Sequence, residues 1–387
     1  MAPRAVAAAP ASAPPEGPRS SRETGLAFDE VAGRARAARE ADRTEEALEW
    51  YRQGVEERPL WDEGWWYVGA LSYAGGGDEE AAAGFERFLD LRPDSGPAWA
   101  LLGLSEFRLG RYDAALQHLA KGLSLGSVGN AEIRDAVYHH MALLRIRASQ
   151  FELAVEPLAV LARASAESPS LVSACGLLLL RRPLLPGDVP ESDRELVQLS
   201  GRATCAALGQ KEDAARLFED LLTRFPATRS LHYGYGGYLL RQRRDGAADE
   251  ALAQFRKEIE VDPASVFARL EIAFELMRRG DHAGALPYAR EAVALAPGLF
   301  AAHNALGRAL LGTGATTDGI AALEEAVRLA PESAEMRVAL AQAYVQAGRR
   351  EDAERERRAF QELQTERERT RLPGFAREDT VPPEGRH

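Results

Sequence analysis

Apolar and small residues recur in pairs four positions apart along most of the chain: Ala47 and Tyr51, Ala81 and Phe85, Ala115 and Leu119, Ala214 and Phe218, Ala251 and Phe255. Residues four apart share one face of a helix, so each pair marks an apolar helical stripe. The polar stretches between the stripes are punctuated by Gly and Pro. In the C-terminal half this punctuation is periodic. Pro263, Pro297 and Pro331 lie 34 residues apart, with a small residue (Ala251, Ala285, Gly319) twelve positions before each, and Ala353 continues the series. A Gly stands five residues before each small residue: Gly246, Gly280, Gly314 and Gly348. A small side chain lets two helices approach closely, the Gly can take the positive φ of a tight turn, and the Pro ends the second helix. The pattern predicts a series of helical hairpins, one per period.

The N-terminal half follows the same rule. Trp65-x2-Val68-Gly69 precedes Ala81-x3-Phe85 and Pro93, and Trp99-x2-Leu102-Gly103 precedes Gly110 and Ala115-x3-Leu119. Ala47-x3-Tyr51 with Pro59 marks an earlier unit, and Gly209, Ala214-x3-Phe218 and Pro226 mark one in mid-chain. A 34-residue period with W-x2-L-G-x2-Y, A-x3-F and a closing Pro resembles the tetratricopeptide repeat family. The anchors place nine repeats at about 28–61, 62–95, 96–129, 135–168, 195–228, 229–265, 266–299, 300–333 and 334–367. The resemblance implies an all-α, right-handed superhelical α-solenoid of helix-turn-helix repeats, with the first helix of each repeat lining a concave face.

Departures from the period divide the chain. The repeat from Arg229 is three residues long in its turn, around Arg244 to Glu250, and the repeat near Ala154 lacks its Gly and Pro anchors. Between Pro169 and Arg194 the period breaks. An apolar helix is expected over Leu171–Leu180, then a Pro-rich loop over Pro183–Pro190, then a capping box of Ser192 and Glu195 that opens the next helix. The expected organisation is a tail or signal remnant (1–26), a first block of about four repeats (27–168), an irregular insert (169–194), a second block of about five repeats (195–372) and a second tail (373–387). The last helix turns polar after Ala353, as a terminal repeat with nothing stacked on it requires.

Composition narrows the function. A net charge of −11 over 387 residues argues against a general nucleic-acid or anionic-membrane binder. No stretch reaches the roughly 18 apolar residues of a membrane span. Cys175 and Cys205 both fall in apolar helical pattern and read as two buried thiols, with a disulfide as the alternative. Ala5 to Ala13 is like the end of an export signal without its apolar core. Either it is a loose tail and the protein is cytoplasmic, or the true start lies upstream and the protein is periplasmic or secreted. The Ala- and Arg-rich style points to a bacterium.

Catalytic and ligand-binding patterns are missing. The seven histidines form no HExxH pattern and no ligand cluster with cysteine, so no metal site and no cofactor are expected. His232 and His303 occupy the repeat position of Trp65 and Trp99 and read as packing residues. Gly314-x4-Gly319 imitates a phosphate loop but has Ile320 where Lys is required. Gly75, Gly76 and Gly77 fall at a turn. No nucleophile elbow is present, and the repeats leave no room for an attached enzyme domain.

The resemblance carries the family's contact positions onto the first helices: the second, fifth, ninth, twelfth and thirteenth residues. They are Trp66 and Tyr73, then Leu104, Phe107 and Arg108, then His139, Leu143 and Arg147. Further on come Tyr233, Leu240 and Arg241, then Phe267, Leu270, Phe274 and Arg278, then Asn304 and Arg308. Aromatics interleaved with Arg suit a protein or peptide ligand, though packing between repeats would use the same aromatics. The Lys residues with which the family captures a chaperone's C-terminal carboxylate are absent. The expected function is a non-enzymatic scaffold or adaptor that holds a protein segment. The alternatives are an exported envelope-assembly factor and, less well supported, a small-ligand receptor or enzyme.

Overall fold

A computed structural model describes residues 27–126, 130–164, 168–242 and 244–370, with side chains up to 365. The two expected tails lie outside the described residues. Two compact units divide between Ala164 and Ser165. The first contains α1 (Phe28–Glu40), α2 (Thr44–Glu57), α3 (Asp62–Gly75), α4 (Asp78–Leu91), α5 (Gly96–Arg108), α6 (Tyr112–Ser124), α7 (Ala131–Arg147) and α8 (Phe151–Ala164). The second contains α9 (Pro169–Leu179), α10 (Arg194–Leu208), α11 (Ala214–Arg224), α12 (Leu231–Leu240), α13 (Ala247–Val261), α14 (Val266–Arg278) and α15 (His282–Leu295). It continues with α16 (Phe300–Gly312), α17 (Thr316–Leu329), α18 (Ala334–Gln346) and α19 (Arg350–Thr370). No strand occurs among the described residues, and no helix is long and apolar enough to cross a membrane.

Within each unit, consecutive helices pack as hairpins and each hairpin packs on the next. First helices also touch one another across repeats: α3 with α5, α5 with α7, α14 with α16 and α16 with α18. The small residues of the pattern lie where the helices cross. Ala81, Ala115, Ala214, Ala251 and Ala285 are all fully buried. Opposite them the first helix has no room for a side chain. A Cβ on Gly69 would meet the Phe85 ring at 2.9 Å, and one on Gly236 would meet the Phe255 ring at 2.6 Å. The ring four residues after the small residue therefore fills the space above the glycine.

Two further interactions repeat with the period. Trp65 Nε1 and Trp99 Nε1 donate to the carbonyls of Pro59 and Pro93, at 2.8 and 2.9 Å. His303 Nε2 and Arg337 Nε occupy the same place against the Pro297 and Pro331 carbonyls, at 2.8 and 3.0 Å. These bonds satisfy the carbonyl at the end of one repeat from the first turn of the next. His303 is thus a packing residue, as its position implied, and His232 bonds Gln254 at 2.6 Å instead. Ion pairs also join neighbouring repeats: Arg36 to Glu63, Arg52 to Glu80 and Arg108 to Asp78, at 2.6, 2.6 and 3.1 Å.

Three local expectations need correction. Positive φ falls on Gly76, Gly110, Gly246, Gly280, Gly314 and Gly348 as the turn pattern implies, but Gly209 is ordinary at φ −77° and Gln210 takes the left-handed position. The anchorless repeat keeps the same turn through Ser149, as the first does through Asp42. Ser192 and Glu195 form no capping box. A short 3-10 turn occupies Glu191–Asp193, Asp193 is the N-cap of α10, and Ser192 Oγ bonds Asp193 at 3.3 Å. Cys175 and Cys205 are buried as expected, but they are joined in a disulfide rather than left as two thiols, with Cα atoms 5.9 Å apart.

That disulfide ties α9 to α10 beside the closest helix crossing in the second unit. A Cβ on Gly176 would lie 2.0 Å from the Val197 carbonyl oxygen, and one on Gly201 would lie 1.8 Å from that of Val172. Both obstacles are backbone, so neither can swing away. Gly201→Ala should therefore lower stability by ~3 kcal/mol or more through forced separation of the helices. Gly33→Ala, with no atom near its added Cβ, should be neutral or stabilising. Thermal unfolding of the two variants checks this, and an unchanged midpoint for Gly201→Ala would contradict the close crossing.

Candidate functional site

The contact positions separate into buried and accessible sets. In the first unit, Trp66 is only 4% exposed and packs edge-on against Phe85 and Phe88, with ring centroids 5.9 and 5.3 Å away. It belongs to the core of its own hairpin, where it has no surface to offer a ligand. Tyr73 is buried beneath the Arg108 guanidinium, 3.9 Å above its ring. Arg108 is committed as well, donating to the Tyr73 carbonyl and to Asp78, both at 3.1 Å. Phe107 is half-buried between Tyr112 and His140, at centroid distances of 5.5 and 4.5 Å. His139 lies beside His140, ring to ring at 5.5 Å.

The two histidines are held against protonation. Burial, with the His140 charge adding to it, pushes His139 down to about 4. Burial also lowers His140, opposed by its bond to the Ala136 carbonyl and reinforced by Arg108. This is the electrostatics of packing, with the Arg108 charge opposing protonation of His140.

In the second unit, Tyr233 and Phe267 approach each other across α12 and α14 with centroids 6.3 Å apart, and Arg181 lies 4.4 Å over Phe267. Arg241 closes α12 near Glu271, whose carboxyl burial lifts above its ordinary range against the pull of Arg241. Further along, four predicted residues converge. Phe274, Arg278, Asn304 and Arg308 line one concavity of about 660 Å³. It is built from α14, α16 and α18, with His282 and Leu323 at its floor. Arg278 is bound twice to Glu275 at 2.7 Å, while Arg308 stands 6.0 Å from the Phe274 ring. Glu275 stays below its ordinary range because bonds from Arg278 and Arg279 override the upward push of burial.

From α18 the lining includes Glu335, Val338, Gln342 and Gln346. The sequence reading missed them, although they occupy the second, fifth, ninth and thirteenth positions of the last repeat. The same register carried one repeat further would have found them. His282 had no such signal, since it opens a second helix. The described residues hold no cluster of metal-ligating side chains.

Hairpins of this period, crossing at small residues and facing a shared groove from their first helices, define a helical-repeat binding scaffold. Family models described as tetratricopeptide repeat match residues 68–128 and 206–266, and residues 310–356. Those segments are tetratricopeptide repeats, a repeat type that binds protein partners. No curated relative matches it in sequence. Among solved structures, it is similar to a fragment described as "MamA 41-end from Desulfovibrio magneticus RS-1", at 24% identity and TM-score 0.40, over 43% of this chain and 94% of that one. A MamA RS-1 double mutant gives 22% identity and 0.41 over 44% and 95%.

The depressed histidines fix a pH dependence. A histidine with lowered affinity for protons in the folded state contributes stability above its unfolded value of 6.5, and that contribution is lost as pH falls from 6.5 through 4. His139→Gln should flatten the loss of thermal stability across this window by ~1–2 kcal/mol. Parallel slopes for variant and parent would show that His139 protonates freely in the folded chain.

Proposed function

We propose that the groove bordered by α14, α16 and α18 holds a segment of a partner protein, and that the chain is a scaffold or adaptor without catalytic chemistry. The observation that carries this reading is the convergence of an accessible ring (Phe274), amide side chains (Asn304, Gln342, Gln346) and a guanidinium with no carboxylate partner among the described residues (Arg308) from three successive repeats. Rings and Arg are the side chains that concentrate binding energy at protein interfaces. Amides match the donor and acceptor pattern of a peptide main chain. A hydrolase or transferase would need a nucleophile with a positioned base, and none faces this groove.

A photo-reactive amino acid in place of Phe274 should cross-link a discrete partner in lysate of the source cell, and the same group in place of the exposed Arg290 on α15 should not. Equal labelling from both positions would count against the groove. Phe274→Ala with Arg278→Glu should weaken the captured partner at least tenfold, while the helical signal is preserved. Unchanged affinity would remove both residues from the interface.

The Cys175–Cys205 disulfide supports a second reading, that the protein works outside the reducing cytosol, as an exported envelope factor would. Chain produced with an export signal should resist thiol alkylation when unfolded without reductant. Full alkylation under those conditions would overturn that placement.

A further inference from the structure

The left-handed turn position after α3, α5, α14, α16 and α18 is taken by glycine, at Gly76, Gly110, Gly280, Gly314 and Gly348. After α9 it falls on Arg181, at φ 49°. A residue with a Cβ is disfavoured in that conformation and Gly is not, so Arg181 gives up local stability. Its side chain is used far along the sequence. The guanidinium carbon lies 4.4 Å over the ring of Phe267 on α14, and Tyr233 stands beside that ring with centroids 6.3 Å apart. Two neighbouring contacts aim it there. Leu179, the last residue of α9, fills the space over Gly234 of α12, where a Cβ would come within 2.0 Å of its Cδ1. Arg182 pairs with Asp193 and closes the Pro-rich loop behind the turn. Phe267 and Phe274 are seven residues apart on one face of α14. The covered ring therefore lies about 10 Å along the helix from the ring that lines the concavity.

We infer that the turn at Arg181 is a strap that closes one end of the groove, and that a partner segment running from the concavity past Phe267 must displace it. This rests on the groove reading above and adds its regulation. The Cys175–Cys205 bond and the close crossing at Gly176 and Gly201 hold α9 on α10, so the helix stays in place and only the turn and the Arg181 side chain move. A single cation–π contact is weak enough to be exchanged and strong enough to bias the free chain towards the closed form. Phe267 is thus occupied by the chain's own guanidinium until a partner arrives.

The test uses the full, disulfide-bonded chain with para-fluorophenylalanine in place of Phe267, read by its fluorine resonance. Arg181→Gly should move that resonance by removing the charge over the ring. The thermal midpoint should hold or rise, because Gly suits the turn. Parent and Arg181→Gly chains, each carrying the photo-reactive group at Phe274, are then titrated with lysate of the source cell. Half-maximal labelling of the partner should need about threefold to tenfold less lysate with Arg181→Gly, the size of one lost competing contact. A resonance that ignores Arg181→Gly would overturn the strap. So would a resonance that moves while labelling is unchanged, which leaves a packing contact and an intact groove reading. Weaker labelling by Arg181→Gly would also overturn it, since Arg181 would then hold the partner rather than exclude it. If neither chain labels a partner, the groove reading fails and the strap falls with it.

Discussion

Everything in this molecule depends on how closely two helices of a hairpin can cross. At Gly69 and Gly236 the opposing rings of Phe85 and Phe255 occupy the volume of the missing Cβ. The rings can do so because Ala81 and Ala251, four residues earlier, leave the second helix free to come in. The crossing sets where the hairpin turns, and the turn sets the positive φ at Gly76 and Gly246. The next hairpin is then fixed through the proline carbonyl that Trp65, Trp99, His303 or Arg337 satisfies. Ion pairs between neighbouring repeats, partly buried at Arg36–Glu63 and Arg108–Asp78, add to this. Burial at the crossings supplies most of the stabilisation.

The groove is a consequence of the same constraint. Second helices are anchored by their small residues and rings, so the first helices are left to line a shared face. Residues there are relieved of packing duty one by one. Trp66 and Tyr73 still serve the core, Arg108 still serves Tyr73 and Asp78, and His140 packs against Phe107. By α16 the arrangement changes. Asn304 Oδ1 is buried without a hydrogen-bond partner, and Arg308 pairs with no carboxylate among the described residues. A position that gives up stability without a local structural return is where function is expressed.

How much of this was legible in the sequence follows from what each feature depends on. Helix pairs, crossings and the glycine turns are encoded by local residue size and spacing, so the period exposed them. The turn at Gly209 was misread because the left-handed residue moved one position, to Gln210, and residues other than Gly can bear it at modest cost. Ser192 and Glu195 have the spacing of a capping box, but a 3-10 turn placed Asp193 at the helix start. The Cys175–Cys205 bridge depends on the approach of α9 to α10, which glycines at 176 and 201 permit but do not announce. Trp66 was assigned to the groove by register alone, and side-chain direction decided otherwise. The same register named Phe274, Arg278, Asn304 and Arg308, which line one concavity.

In the second unit, the first helices of the repeats bind and the second helices support them. Amide hydrogen exchange, measured on the full chain alone and with its cross-linked partner present, tests this directly. Exchange should slow in α14, α16 and α18 with little change in α15 and α17. Protection concentrated in α15 and α17, or absent from the second unit, would contradict it.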